Sequence, residues 1–464
     1  MRTSAEHVHS SLSEWILTDG YEFVIDLDRS QGNRFHDART GRDFLDFFSC
    51  FASLAVGWNH PHVVEQEARL GRIAVNNVAN SDLYTGEMAW AVDRIGEIAC
   101  PTDMQNLFMV AGGSLAVENA MKVAMDWKMN HRRSTGLVDP SPKCDPCAPD
   151  VDAFCWGSDL RESSKISIGH FREAFHGRSG YTLSTTNTDP NKTRDFIKFR
   201  WPRFPNPKVT FPIDDVEKKR LEAAEDGAID AIRAHAEQHP DTMAGIIIEP
   251  IQGEGGDNHF RPEFMRRLQN AAHDANALFM VDEVQTGCGA TGRFWAYEHA
   301  EVQPDVLAFG KKMQVCGIMA RDTVKEFEDN PFSTSSRINS TWGGNLIDMV
   351  RSGLQLEVVR DERLVENASR RGDELLRGLH EIQASSGLVS NVRGQGLLAA
   401  FSLPDSSTRD HVRKAIYDEG AHVLNSGSTS IRLRPALTLS SDEVDEALGM
   451  FERALASVDR ALVA

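Results

Sequence analysis

The sequence has no long hydrophobic run. It contains no stretch of about 18 consecutive apolar residues that could span a bilayer as a helix. Its first residues, MRTSAEHVHSSLSEW, lack the apolar core of a signal peptide. We therefore expect a cytoplasmic protein that has no membrane as a partner.

Positive charge and cysteine are also scarce. The 464 residues include 50 Lys and Arg against 68 Asp and Glu, which gives a formal net charge of −18 at pH 7. Because nucleic acid and anionic membranes repel such a chain, neither is an expected partner. The seven cysteines, an odd number spread over the chain, suit a reducing compartment better than a disulfide framework.

The remaining composition is that of a globular protein, with 41% hydrophobic and 25% charged residues in a chain long enough for two or three domains. Residues 75–345 alternate strand and helix patterns, which predicts an α/β fold around a mostly parallel sheet. Short strands near the N-terminus predict a small antiparallel sheet. Residues 346–464 are typical of a compact α+β domain.

The most informative stretch runs from Ala277 to Met319. One apolar run ends at Asp282, and a second one, Asp305 to Phe309, is followed by a glycine and two lysines. Functional groups collect at the carboxyl ends of strands in open α/β sheets. A partly buried lysine can form a Schiff base with an aldehyde, and an acid can keep a pyridine nitrogen protonated. Because a lone acid or lysine at a strand end is also a common solvated cap, spacing alone does not decide between the two interpretations.

The runs DEVQTGCGATG and FGKKMQVCG resemble the cofactor core of the class III (ornithine-type, fold type I) aminotransferases, and most closely the branch that acts on L-lysine. The resemblance implies pyridoxal 5'-phosphate as the cofactor. It assigns Lys311 as the lysine that binds the cofactor covalently, Asp282 as the acid on the ring nitrogen, and Gln285 as a neighbour of the ring hydroxyl. Lys312 is the competing lysine. Neighbours on an extended backbone point in opposite directions, so only one of the two can reach the cofactor.

Two further motifs belong to the implied cofactor site. A Gly-rich turn ending in Gly113 and Ser114 precedes a helix predicted to begin at Leu115, and a helix N-terminus offers backbone N–H groups to an anion. By the resemblance, Gly113 and Ser114 hold the cofactor phosphate. In the run FHGRSG, Phe175 would stack on the cofactor ring, with His176 beside it.

The resemblance also implies the substrate ligands. Arg178, whose guanidinium offers a planar fork for a carboxylate, would bind the α-carboxylate of lysine. Arg432 in IRLRPAL matches the arginine that binds a carboxylate of 2-oxoglutarate or glutamate, and Arg434 is the alternative. Glu254 in EPIQGEGG resembles the glutamate that neutralises a second arginine while one substrate is bound and swings aside for the other.

The run NSTWGGN implies a dimer. In the resembled family its threonine, here Thr341, reaches across an interface to the partner's cofactor phosphate, and Asn339 lies nearby at the substrate. The implied assembly is a homodimer with a shared active site.

Residues 130–165 depart from the family pattern. The run PSPKCDPCAPDVDAFCWGSD carries Cys144, Cys147 and Cys155. A C-x2-C spacing suggests a metal, but a structural zinc site needs four ligands and only three cysteines are local. The prediction is an inserted surface loop without a metal, and a bound metal is the alternative.

The resemblance covers nearly the whole chain and implies three segments: residues 1–72 as an N-terminal part of the small domain, 73–345 as the large cofactor domain, and 346–464 as the C-terminal small domain. The implied reaction moves the terminal amino group of L-lysine to 2-oxoglutarate. Ornithine and 4-aminobutyrate are the alternative amino donors. A subunit that binds the cofactor without turnover is a further alternative. It is disfavoured by the joint presence of five residues: Asp282, Lys311, Arg178, Glu254 and Arg432.

Overall fold

The computed structural model describes residues 3–138 and 163–463, which divide into two compact units. Unit 1 comprises Met1–Val75, Cys288–Phe294 and Arg351–Ala464. Unit 2 comprises Asn76–Gly287 and Trp295–Val350.

The strands of the described residues are β1 Ile25–Gln31, β2 Arg34–Asp37, β3 Arg42–Asp46, β4 Asn106–Val110, β5 Ser167–Phe171, β6 Arg203–Phe204, β7 Met243–Ile248, β8 Ile251–Gln252, β9 Asn258–His259, β10 Leu278–Asp282, β11 Val306–Phe309, β12 Cys316–Ala320, β13 Ser390–Gln395, β14 Leu398–Ser402, β15 Ala421–His422, β16 Leu424–Ser426 and β17 Ser430–Leu433.

The helices are α1 Val8–Ser13, α2 Ser49–Ala52, α3 Pro61–Val64, α4 Glu67–Ala74, α5 Gly86–Ile98, α6 Gly113–Ser134, α7 Gly180–Thr185, α8 Asp215–Gln238, α9 Pro262–Asp274, α10 Leu346–Asp361, α11 Leu364–Ser385, α12 Ser406–Glu419 and α13 Ser441–Val463. All four residues of α2 have positive φ, so α2 is one left-handed turn. Short 3-10 helices are found at Ala5–His7, Pro190–Lys192, Ala296–Ala300, Lys311–Met313 and Asp322–Lys325.

Unit 2 is built on a seven-stranded sheet in the order β4-β12-β11-β10-β7-β5-β6. Every neighbouring pair is parallel except the two that involve β12, which runs against both β11 and β4. The predicted α/β fold with a mostly parallel sheet is confirmed. All residues of β7, β10 and β11 are buried, as is typical of parallel strands covered on both faces. The carboxyl ends of these three strands lie at one edge of the sheet, where Asp282 ends β10 and where Glu249 and Lys311 follow β7 and β11.

Helix α6 covers the sheet of unit 2. It begins at Gly113, two residues before the predicted start at Leu115, and runs to Ser134. Small and flexible apolar residues such as Ala116, Ala120 and Met121 form its buried face and allow the helix to approach the strands closely.

Unit 1 contains two four-stranded sheets. In the first, of order β1-β2-β3-β15, the three N-terminal strands are antiparallel as predicted and β15 adds in parallel. The second, of order β13-β14-β17-β16, is antiparallel throughout. Aromatic rings, among them Tyr21, Phe23 and Phe48, surround the buried His422 edge-on. Burial among them lowers the pKa of His422 to about 3.

None of the described helices is both long and apolar enough to cross a membrane. Within residues 3–138 and 163–463, no group of three or more His, Cys, Asp or Glu side chains could hold a metal ion. The predicted loop with Cys144, Cys147 and Cys155 lies outside the described residues.

Candidate active site

A buried acid and a buried histidine form the centre of the site. Asp282 is the last residue of β10 and is only 5% exposed. Its Oδ2 lies 2.8 Å from Nδ1 of His176, and its Oδ1 accepts a hydrogen bond of 3.1 Å from the backbone N–H of Val284. The backbone N–H of His176 donates to Oγ1 of Thr186 at 2.9 Å. These contacts hold the Asp282 carboxylate in one orientation at the end of its strand.

A second buried carboxylate, Glu249, lies one strand away. Because β7 and β10 pair in parallel, Glu249 and Asp282 lie at neighbouring strand ends. Glu249 accepts hydrogen bonds from the backbone N–H groups of Phe175 at 2.8 Å and Gly253 at 3.1 Å. Burial raises the pKa of Glu249 to about 7, although nearby His176 opposes the rise and Asp282 adds to it. No role was predicted for Glu249, and its one signal in the sequence is an acid directly after a buried strand.

The two adjacent lysines lie in the 3-10 helix Lys311–Met313. The expectation of an extended backbone was therefore wrong, because Lys311 has a φ of 48° and starts a tight turn. Successive residues of a 3-10 helix are about 120° apart, so the two side chains still point in different directions. Lys311 is partly exposed, whereas Lys312 is only 2% exposed.

Lys311 lies close to the Gly-rich turn before α6. The thiol of Cys316 accepts hydrogen bonds from the backbone of Gly112 and of Lys311, so this one side chain contacts both segments. Burial raises the pKa of the thiol, and the two hydrogen bonds oppose this rise. Val284 packs against the same turn, because a Cβ on Gly113 would come within 2.8 Å of its Cγ1. The Gly-rich turn, the end of β10 and the start of the lysine turn thus form one packed group.

The N-terminus of α6 is open. Gly112 precedes the helix with a φ of 115°, and no side chain caps the helix there. A Cβ at Gly112 would meet no heavy atom within 4 Å. The side chain of Ser114 is directed elsewhere, since its Oγ lies 2.7 Å from Oγ of Ser179 and 2.8 Å from Oγ1 of Thr182. The backbone end of this helix can therefore bind an anion, to which Ser114 would contribute its N–H rather than its hydroxyl.

Two cationic side chains lie beside the ring of Phe175. Cζ of Arg178 is 5.9 Å from the ring centroid, and Nζ of Lys192 is 5.6 Å from it. Among the described residues, Arg178 forms no ion pair or hydrogen bond, and its side chain is exposed. Its planar fork is therefore available to a carboxylate. Lys192, which the sequence analysis did not identify, pairs with Glu254.

The other predicted site residues lie in different parts of the structure. Gln285 lies against Gly253, close to the buried carboxylates, because a Cβ on that glycine would come within 2.2 Å of its Oε1. Asn339 and Thr341 are exposed, and no contact within the described part of the chain joins either of them to Asp282 or Lys311. Arg432 is buried on β17 in unit 1.

This donor set fits pyridoxal 5'-phosphate, the cofactor that the resemblance implies. The site offers an amine on Lys311, a buried carboxylate on Asp282 and an aromatic ring on Phe175. The uncapped N-terminus of α6 suits a phosphate. In addition, Nε2 of His176 is buried and has no hydrogen-bond partner among the described residues. This imidazole nitrogen is therefore available to a ligand or a water.

Comparisons with known proteins point in the same direction. A model of the family described as Aminotransferase class-III matches residues 17–455. An L-lysine-epsilon aminotransferase of Mycobacterium tuberculosis is 43% identical over 457 residues, which cover 98% of this chain and 96% of that protein. A solved structure of lysine aminotransferase from M. tuberculosis has a TM-score of 0.90 at 42% identity and covers 98% of this chain and 100% of that one. The mitochondrial 4-aminobutyrate aminotransferase of Homo sapiens is 31% identical over 456 residues, which cover 94% of this chain and 86% of that protein.

Proposed function

Because this chain belongs to the class III aminotransferases, we propose that it transfers the ε-amino group of L-lysine to 2-oxoglutarate. The products are glutamate and 2-aminoadipate 6-semialdehyde, which cyclises to piperideine-6-carboxylate. The observation that supports this proposal most directly is the buried Asp282–His176 pair, packed at the same sheet edge as Lys311. Members of the family depend on pyridoxal 5'-phosphate, so the expected cofactor is confirmed.

Bound pyridoxal 5'-phosphate supplies an electron sink, because its protonated ring delocalises the electron pair that remains when a proton leaves the substrate carbon. Asp282 would keep the ring nitrogen protonated through its carboxylate, which His176 orients. Nζ of Lys311 would hold the cofactor and, once released by the substrate amine, accept a proton from the substrate carbon and return it.

Other side chains and backbone groups of unit 2 would position the cofactor. Phe175 would stack on its ring, and Gln285 would lie near the ring hydroxyl. The N–H groups of Gly113 and Ser114, together with the dipole of α6, would bind the phosphate.

The sequence identity of this chain to its relatives supports lysine as the amino donor. The chain is 43% identical to an L-lysine-epsilon aminotransferase but 31% identical to a 4-aminobutyrate aminotransferase over a similar length. Ornithine and 4-aminobutyrate remain the rival donors, since each also carries a terminal amine at the end of a chain that bears a carboxylate.

The two substrates require different carboxylate contacts. Arg178 would bind the outer carboxylate of either substrate, and its lack of an ion pair among the described residues supports this role. Arg432 would bind a carboxylate of 2-oxoglutarate or glutamate, with Arg434, also buried, as the alternative. Glu254 would neutralise that arginine while lysine is bound and turn away for the dicarboxylate. Asn339 would complete the substrate contacts.

We further propose a cytoplasmic homodimer with a shared active site. The exposed positions of Thr341 and Asn339 are compatible with side chains that serve a partner subunit. The four described cysteines form no disulfide with one another, as is usual in a reducing compartment.

A panel of amino donors with 2-oxoglutarate as acceptor tests the reaction. We expect kcat/KM for L-lysine to exceed those for ornithine and 4-aminobutyrate by roughly tenfold or more. A higher value for either rival would identify that compound as the donor instead. Addition of lysine alone should change the absorbance of the bound cofactor, and an unchanged spectrum would favour a non-catalytic subunit.

A further inference from the structure

A short turn that precedes β6 holds Glu254. Oε1 of Glu254 pairs with Nζ of Lys192 and accepts a hydrogen bond of 3.1 Å from Oγ1 of Thr188. The side chains of Lys192 and Glu254 are 22% and 24% exposed, so the ion pair is largely withdrawn from solvent. Charges in such a position attract each other more strongly than surface charges, and loss of one partner leaves the other poorly compensated.

The turn is preformed for this contact. It consists of the 3-10 helix Pro190–Lys192, whose first position is a proline with a restricted φ. Oδ1 of Asp189 accepts a hydrogen bond of 2.9 Å from the N–H of Asn191, which caps the helix. Thr188 precedes the turn and Lys192 ends it, so both partners of Glu254 are fixed by the same few residues.

The loop that carries Glu254 has little room to move as a unit. A Cβ on Gly253 would come within 2.2 Å of Oε1 of Gln285, and a Cβ on Gly255 within 1.9 Å of the carbonyl oxygen of Glu173. These close approaches fix the backbone on both sides of Glu254. A change of partner by Glu254 is therefore a rotation of its side chain.

The position of the pair connects it to substrate charge. Lys192 and Arg178 lie beside the same ring, that of Phe175. A dicarboxylate substrate brings two negative charges, and Glu254 without a partner would add a third that repels them. When Lys192 neutralises Glu254, the dicarboxylate can bind Arg178 without that repulsion.

We propose that Lys192 is a specificity-determining residue that, together with Thr188, holds Glu254 aside and thereby keeps the pocket open to the dicarboxylate substrate. This inference rests on the proposed function, in which Glu254 governs the choice between lysine and 2-oxoglutarate. Lysine carries one carboxylate and a net positive charge, so its binding depends less on this contact.

Two unreactive probes of equal length test the proposal by equilibrium binding to the purified holoenzyme. Glutarate carries two carboxylates and pentanoate carries one. In Lys192→Met we expect the dissociation constant of glutarate to rise roughly tenfold relative to that of pentanoate, because a mostly buried ion pair is lost. Lys192→Arg should restore most of the difference, and Thr188→Val should produce a smaller change in the same direction. Equal weakening of both probes, or of neither, would overturn the proposal.

A double-mutant cycle separates the indirect role of Lys192 from direct contact with the ligand. In a Glu254→Ala background, Lys192 has no carboxylate to hold, so adding Lys192→Met should no longer change the ratio of the two dissociation constants. If the full effect persists there, Lys192 binds the dicarboxylate itself and the proposed role is wrong. Lys325→Met is the matched control, because Lys325 pairs with Asp322 in a surface contact of 3.1 Å.

The binding test does not depend on the identity of the amino donor. If the wild-type enzyme fails to use lysine but glutarate binding responds to Lys192→Met as described, the proposed donor is wrong and the role of Lys192 stands. If the donor panel succeeds and the ratio of dissociation constants is unchanged, only the role of Lys192 fails.

Discussion

The two adjacent lysines differ most in their exposure. Lys311 is partly exposed and shares the Cys316 contact with the Gly-rich turn, whereas Lys312 is 2% exposed. We therefore expect Lys311→Ala to abolish covalent attachment of the cofactor and to reduce turnover by roughly a thousandfold or more. Borohydride reduction followed by peptide mapping identifies the attached residue directly. A labelled Lys312 peptide, or full activity of Lys311→Ala, would assign the role to Lys312.

Glu283 makes stability depend on pH. It is 1% exposed and accepts hydrogen bonds from the backbone N–H of Tyr297 at 2.7 Å and from Oγ1 of Thr286. Burial raises the pKa of Glu283 from 4.5 to about 7, against the effect of these hydrogen bonds. Between these two values the folded state holds a proton that the unfolded state has lost. Stability therefore falls as the pH rises from about 4.5 to about 7, and the contribution of Glu283 is lost above that range.

Glu283→Gln removes this titration while it keeps the size of the side chain. We expect the variant and the wild type to have similar stability near pH 5. Above pH 7 the variant should be more stable, by up to about 3 kcal/mol. Thermal midpoints measured across this range check the prediction. A difference that does not change with pH, or one that grows toward acid pH, would contradict it.

Some functional contacts could not be predicted from sequence because they depend on the fold. Asp282, Lys311 and Phe175 are predicted from their motifs, and the segments that carry them lie in unit 2. Glu249 was not predicted, because its position near Asp282 depends on the pairing of β7 with β10. Lys192 was missed because its partner, Glu254, lies far along the chain on a different loop.

Among the elements, the first residue of α6 packs closely against the segment that follows β10. A methyl group on Gly113 would press on Val284, whose N–H orients Asp282. We expect Gly113→Ala to weaken cofactor binding by roughly tenfold or more and to destabilise the protein by about 1–3 kcal/mol. Cofactor titration of the reconstituted enzyme measures the first effect, and denaturant unfolding measures the second.

Gly227 provides the control for that substitution. It lies in α8, where a Cβ would meet no heavy atom within 4 Å. Gly227→Ala should stabilise the helix by about 0.5–1 kcal/mol and leave cofactor affinity unchanged. Similar cofactor affinities for the two alanine variants would show that the approach of Val284 to Gly113 does not shape the site.

Element boundaries were predictable where the hydrophobic pattern is strong. The apolar run predicted to end at Asp282 ends where β10 ends, and the run Asp305 to Phe309 begins one residue before β11 and ends with it. By contrast, β12 was not predicted, and neither were the positive φ values of Lys311 and Gln314 before it. Hydrophobic periodicity contains no information about such backbone conformations, and only a long-range pairing places β12 between β4 and β11.

At the scale of the whole molecule, family membership and the α/β architecture were predictable because several motifs occur in the expected order. The division into units was harder to infer. Cys288–Phe294 belongs to unit 1 although it interrupts residues of unit 2 in the sequence. Its partners in unit 1, such as Val365 beside Gly289 and Ser369 beside Gly292, lie far along the chain. Motif order fixes the family, but tertiary packing fixes which segment belongs to which unit.

The proposed homodimer predicts that two defective chains can complement each other. Thr341 is exposed in its own chain, and its carbonyl accepts a hydrogen bond of 3.0 Å from Oγ of Ser81, which leaves its hydroxyl available to a partner's phosphate. Lys311→Ala should destroy the site that contains this lysine, and Thr341→Ala should impair the site of the neighbouring subunit. In a mixed dimer, one site then lacks both residues and the other has both.

Unfolding the two variants together and refolding them as a mixture should therefore restore activity at limiting cofactor to roughly a quarter of the wild-type value. Random pairing makes about half of the dimers mixed, and each mixed dimer has one intact site of two. The two variants refolded separately and then combined are the control, because preformed dimers exchange no subunits over a short assay. Should co-refolding give no more activity than this control, Thr341 serves its own chain and the active site is not shared.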